Sequence, residues 1–222
     1  MDDSGIMVGT LFQLGPLQLT NTVVTTWVIM AVTGLFGWLV TRRLHMEPGP
    51  IQTVAEGIVS AIEGAIRSVA PDHVSHLLPF IGSLWIFLVV ANLSGLLPGV
   101  HAPTRDLSAT AALAMLVFLS THWFGIRSQG LSSYLPHYLK PSPILLPFHV
   151  IGEITRIVAL AVRLFGNMMG HEIVLAILFG LAGAFFAPLP IMALGLFVAL
   201  LQAFVFFLLS IIYFSGAMEE AH

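Results

Sequence analysis

Cysteine is absent from the chain, lysine occurs once, and charged residues make up only 9% of 222 positions. The first absence excludes disulfides, thiolate metal centres and cysteine nucleophiles. The lone Lys140 follows His137-Tyr-Leu, not a Gly-rich loop, which excludes a Walker A nucleotide site. A soluble domain carries roughly 25% charge, so the scarcity here excludes a soluble globular fold. A net charge of -3 is too small to steer a polyanion, and nucleic acid is not an expected partner. What is there is apolar: 57% hydrophobic residues and a mean hydropathy of +0.96. The 20 Gly and 13 Pro fit bundled membrane helices, which tolerate both. The composition describes an all-α integral membrane protein, one domain over residues 1–222, with the lipid bilayer as its solvent and no cofactor.

A crossing takes about 20 mostly apolar residues. Stretches without Asp, Glu, Lys or Arg lie at 21–41, 80–98, 107–126 and from Ile173 to Met218. The last would extend about 69 Å as one helix, so Pro188-Leu-Pro190 marks a turn within it. Its first part joins the stretch from Ile144 to Asn167, which is apolar despite Glu153, Arg156 and Arg163. Five membrane helices are expected: 21–41, 80–98, 107–126, 144–184 and 190–216. Between 50 and 70, Ile51, Val54, Ile58, Ile62 and Ile66 recur every three to four residues, which predicts an amphipathic interfacial helix. Residues 1–20 are expected to form an external tail. Met1-Asp2-Asp3 is acidic where a secretory signal is basic, so the first helix is expected to be retained. Placing the N-terminus outside puts Arg42, Arg43, Arg67, Arg127 and Lys140 on the cytoplasmic side, with the C-terminus, and leaves Arg105 external.

Ionisable groups inside membrane segments are costly and mark ion pathways or paired sites. Arg163 has no carboxylate within the neighbouring helical turns, so its counter-charge must come from another helix or another subunit. Asn167 and His171 follow at i+4 and i+8, within about 80° of the same face, whereas Glu172 lies about 180° around and ~13 Å further out. His171 and Glu172 are neighbours able to handle a proton together, although a structural histidine is an equal alternative. Asp106 is either the mouth of an outer path or the N-cap of the helix it precedes. Gln202 is polar among apolar neighbours and needs a bundle partner. Glu153 and Arg156, three apart, are expected to pair along their helix. His73 and His76 are expected in a loop beside Pro71.

These residues sit in motifs that carry a resemblance. Leu160-Ala-Val-Arg-Leu-Phe-Gly-Asn-Met-Met-Gly-His-Glu172, Leu201-Gln-Ala-Phe-Val-Phe and Ile212-Tyr-Phe-Ser-Gly-Ala-Met-Glu-Glu220 resemble the a subunit of F-type ATP synthases. Phe87 to Gly99 and Pro103 to Thr110 are similar to that family's earlier motifs. The resemblance implies a non-catalytic, ion-translocating stator in the bacterial inner membrane, facing a rotating c-subunit ring and held by a b-subunit stalk. It implies that Arg163 separates two half-channels, and that Asn167, His171, Glu172, Gln202 and Asp106 line or support the route. It also implies strong tilt of the last two long helices.

Three departures stand out. Arg105 replaces a small residue before Asp106, which stands to retune that aspartate. His149 replaces an acidic residue. Gly195 and His171 invert a His and Gly found in some members. The short chain also resembles an alternative bacterial set associated with sodium, so protons lead and sodium is the other ion. A secondary transporter or channel with an anion-binding Arg is the alternative class, opposed by the lack of an internal repeat.

Overall fold

The computed structural model describes residues 10–14, 17–42, 49–96, 100, 102–130, 146–182 and 188–219. Their regular structure is helical apart from one hairpin. Thr10–Leu14 (β1) and Leu17–Thr20 (β2) pair antiparallel, with Phe12 opposite Leu19 and Leu14 opposite Leu17. The segment expected as a tail over 1–20 thus carries a hairpin within its described part. Two short runs on either side of Gly15-Pro16 pair their backbones, satisfying amides and carbonyls that a single strand leaves open.

The helices are α1 (Asn21–Thr41), α2 (Pro50–Val69), α3 (Val74–Ser94), α4 (Leu107–Gln129), α5 (Leu146–Ala182) and α6 (Pro188–Glu219). Short 3-10 turns, Pro71–His73 and Pro103–Arg105, lead into α3 and α4. The helix expected over 80–98 starts six residues earlier and stops four earlier. Its polar first turn is accommodated because Ser75 and His76 are exposed while Leu77 is fully buried. His76 is thus helical, not in a loop. Gly95, just past the helix, lies so close to Ala102 that a Cβ there would be 2.8 Å from that of Ala102. Pro188 and Pro190 open α6 and do not form a turn. First-turn amides have no intrahelical partner, so proline loses nothing there. The segments 131–145 and 183–187, which include Lys140 and most of the expected Pro-rich loop, lie outside the described residues, as do Arg43 and the last three positions.

Among the described residues, four helices or helical stretches are long and apolar enough to cross a membrane: Asn21–Thr41, Pro71–Ser94, Leu107–Ser128 and Met192–Met218. The 37-residue α5 carries Glu153, Arg156, Arg163 and Glu172 and is not among them.

α3 packs most extensively on α6, and α4 on α5. Lipid tails are as apolar as leucine, so close fit holds such helices together more than escape from water does. Small buried residues at these contacts, Ala114, Ala161, Ala203 and Ser210, let the backbones approach. Larger ones fill the rest, with Leu77, Leu88, Leu164, Ile211 and Phe214 fully buried. Phe80, Phe124 and Phe214 meet as a triangle with centroids 5.5–6.1 Å apart, tying α3, α4 and α6 together. Ile62 and Ile66 anchor the end of α2 in this core, while Ile51, Val54 and Ile58 at its beginning are exposed. α1 stands apart: Ile29 is its one buried residue, and a cleft of about 1040 Å³ separates it from α2 and α3.

Candidate functional site

The core side of α5 is set by Leu160, Ala161, Leu164 and Met168, all buried. Arg163 therefore emerges on the opposite side, exposed and in no ion pair among the described residues. Around it the surface is shallow. A Cβ added at Gly166 or Gly170 would meet nothing within 4 Å, and Val174 and Ile177 continue the exposed stripe. Asn167, half-buried, turns its amide back to donate to the Arg163 carbonyl at 2.8 Å. A permanent cation thus stands on an open, glycine-lined face with no ion-pair partner among the described residues. α6 adds an exposed apolar row, Leu194, Phe197, Leu201 and Phe204.

Glu172 is engaged elsewhere. Arg105 Nη1 donates to its Oε2 at 2.8 Å, with the two side chains 13% and 25% exposed. The turn beneath Arg105 is braced from both sides. Thr104, fully buried, donates its hydroxyl to Asn92 Oδ1 at 2.8 Å, and the Asn92 amide donates to the Ala199 carbonyl of α6 at 3.1 Å. One run of hydrogen bonds so joins α3, the turn before α4, and α6, and the ion pair extends it to α5. Arg105 therefore acts on Glu172, a carboxylate 67 positions away.

Asp106 caps α4. Its Oδ1 accepts from the Ser108 amide and from the Ser108 hydroxyl, both at 2.9 Å, which is the N-cap arrangement.

His171 and Glu172 make no hydrogen bond to one another. The His171 ring fills the space that Gly195 leaves open on α6: a Cβ at 195 would lie 2.1 Å from Cε1 and 2.2 Å from Nε2. Nε2 is buried there and has no hydrogen-bond partner among the described residues. Along α5 the surface thus runs from open at Arg163 to the α6 contact at His171.

Gln202 is half-buried and makes no side-chain hydrogen bond among the described residues, so the bundle does not supply the partner expected for it. Glu153 and Arg156 pair along α5 at 2.9 Å, and the Arg156 guanidinium also lies 4.4 Å from the Tyr213 ring centroid on α6.

Two residues were missed from sequence: Arg105 as the partner of Glu172, and Asn92 as the buried crosspiece. The signal for Asn92 was present, since an asparagine amid apolar residues must find partners. For Arg105 no local signal existed, since 67 positions separate it from Glu172.

Residues 23–215 match the family model described as ATP synthase A chain. The chain is 56% identical over 210 residues to ATP synthase subunit a 2 of Pelobacter propionicus, covering 95% of this chain and 92% of that one. It is 50% identical over 218 residues to ATP synthase subunit a 1 of Hahella chejuensis, covering 98% and 92%. Against ATP synthase subunit a of Legionella pneumophila (strain Corby) it is 46% identical over 220 residues, covering 99% and 95%. With a matched region that runs from the third residue of α1 almost to the end of α6, the chain belongs to the ATP synthase A chain family.

Proposed function

We propose that this chain passes protons between two offset half-channels in the bacterial inner membrane, with Arg163 between them and a c-subunit ring moving across the open face of α5. The family supplies the coarser statement: the chain is the ion-translocating stator subunit of an F-type ATP synthase, and nucleotide chemistry belongs elsewhere in that complex. The observation that carries the finer reading is the exposed, unpaired guanidinium of Arg163. An arginine inside a membrane segment costs several kcal/mol or more unless it is paired or hydrated, and it stays charged at any ordinary pH. The described residues of its own bundle leave it unpaired, so a passing carboxylate on the rotor is the natural counter-charge. Such a carboxylate is attracted when ionised and released when it takes up a proton. The same cation blocks direct leak between the half-channels.

In this reading α5 also spans the membrane, the fourth of five membrane helices in chain order. At 1.5 Å per residue its 37 residues reach about 55 Å, well beyond the ~30 Å hydrocarbon core, so it lies strongly tilted. The N-terminus is outside and the C-terminus cytoplasmic, following the arginine distribution. Glu172, His171 and Asn167 serve the outer route with Gln202, Asp106 caps the helix beside it, and a b-subunit stalk holds the subunit still. Sodium is the competing ion.

The test uses the cysteine-free background. Single cysteines at Asn167 or Val174, in the assembled complex, are expected to crosslink to cysteines on the outer helix of the c subunit. A cysteine at Glu172 is expected to react with small water-soluble thiol reagents from outside and to crosslink poorly. The reverse pattern would place the rotor on another face and sink the reading.

A further inference from the structure

We infer that Arg105 gates the outer half-channel: it is a positioning residue that clasps Glu172 and yields the carboxylate to an incoming cation. The inference rests on the reading of Glu172 as part of the outer route.

The backbone that carries Arg105 does not move easily. Ala102 and Thr104 are buried, Pro103 opens the 3-10 turn, and the Thr104–Asn92–Ala199 hydrogen bonds pin the turn to α3 and α6. That leaves the ion pair itself as the part of the arrangement where one cation can replace another. Its ion pair with Glu172 is neither sealed nor loose, at 13% and 25% exposure. A sealed pair resists opening because each charge would be left stranded in a low dielectric. A pair that water reaches opens at modest cost. Arg105 cannot lose its proton, so it is a standing competitor for the carboxylate oxygen. A proton or sodium ion arriving at Glu172 must take the place of the guanidinium. When the ion moves on, the guanidinium returns to the bare carboxylate.

The neighbouring ionisable groups do not share this task. Asp106 has Oδ1 committed to Ser108, and the His171 ring is turned into the space at Gly195. The Arg105 turn also packs on α1, α3 and α4. α1 has no ionisable side chain. α3 has one, His76, in its first turn, far from Asn92, and α4 carries His122 and Arg127 toward its opposite end. α6, bonded through Ala199, bears only Tyr213 and Glu219, both near its far end. Among the described residues, the contest for Glu172 lies between Arg105 and the transported cation.

The test is ATP synthesis by the whole complex reconstituted in liposomes, driven by a fixed membrane potential. Ion concentration is varied on the side from which Glu172 fills, by pH and separately by sodium. Arg105→Gln is expected to lower the half-saturating concentration of the driving ion roughly three- to ten-fold, with a smaller change in maximal rate. Arg105→Lys, which keeps the charge but not the planar fork, is expected to shift it in the same direction by about two-fold. Should Arg105→Gln fail to assemble, the Lys variant carries the measurement. Unmoved half-saturation in these variants, while Glu172→Gln slows transport, would overturn the gate and leave the route standing. If Glu172→Gln leaves transport unchanged, the route itself falls.

Discussion

Arg163 and Arg105 are both guanidiniums at the edge of the same α5 helix, and they differ in almost every respect that electrostatics cares about. Arg105 is 13% exposed, held on a turn pinned by two further hydrogen bonds, and matched by Glu172. Arg163 stands on an open face lined by Gly166 and Gly170, with no acidic partner among the described residues. A cation that finds its partner within the chain works on the chain. One that finds none is presented to something outside it, because a bare arginine in a membrane segment is too costly to persist without purpose.

The sharpest way to break the comparison is to remove the presented charge. Arg163→Ala is expected to cut ion-coupled ATP synthesis roughly 100-fold or more, the scale of losing a preorganised electrostatic group, with normal assembly. Its side chain is exposed and in no ion pair among the described residues, so subunit stoichiometry in the purified complex should match the wild type. Arg163→Lys is expected to fail nearly as badly, since an ammonium lacks the planar five-donor fork. Coupled synthesis in Arg163→Ala vesicles at wild-type rate would erase the distinction between the two arginines.

The contact that turns α5 from open face to packed face comes next. Gly195→Ala puts a methyl 2.1 Å from His171 Cε1, and is expected to cost about 1–3 kcal/mol and lower the yield of assembled complex. Gly195→His should block assembly outright. The exchange His171→Gly with Gly195→His restores one ring to one space and should recover assembly. If Gly195→His alone assembles as well as the exchange, the ring does not occupy that space in the working complex.

The smallest expected effect separates capping from conduction at Asp106. Asparagine caps as well as aspartate, so Asp106→Asn should retain transport within about two-fold, while Asp106→Ala should cost about 1 kcal/mol of stability. A large transport defect in the Asn variant with unchanged thermal stability would put a conducting carboxylate at 106.

The legible parts of the molecule were those with local causes. Charge-free runs marked α1, α4 and α6, and the 3.6-residue recurrence of isoleucine marked α2. Arg163 stood out because nothing near it in sequence could pair with it. The start of α3 was missed because polar residues read as loop are tolerated on an exposed helical turn. The hairpin was missed because its runs are too short to show a period. The Arg105–Glu172 pair was beyond reach for a different reason: 67 positions separate the partners, and no local pattern encodes which two ends of a bundle meet. The inverted His171 and Gly195, by contrast, were visible as a pair of departures, and the ring does fill the glycine's space.

That filled space also dictates an order of events. Positions 171 and 195 admit one imidazole between them, so a lineage cannot shift the ring from one helix to the other by gaining the second histidine first. That intermediate would force two rings into a volume built for one. The passable route goes through glycine at both positions, where the cost is a void and not a collision, and where a water or a lipid methylene can occupy the gap until the ring reappears on the other side. Loss of the ring and gain of a second one are therefore unequal single steps, and the double-glycine protein is the one at which that inequality can be measured.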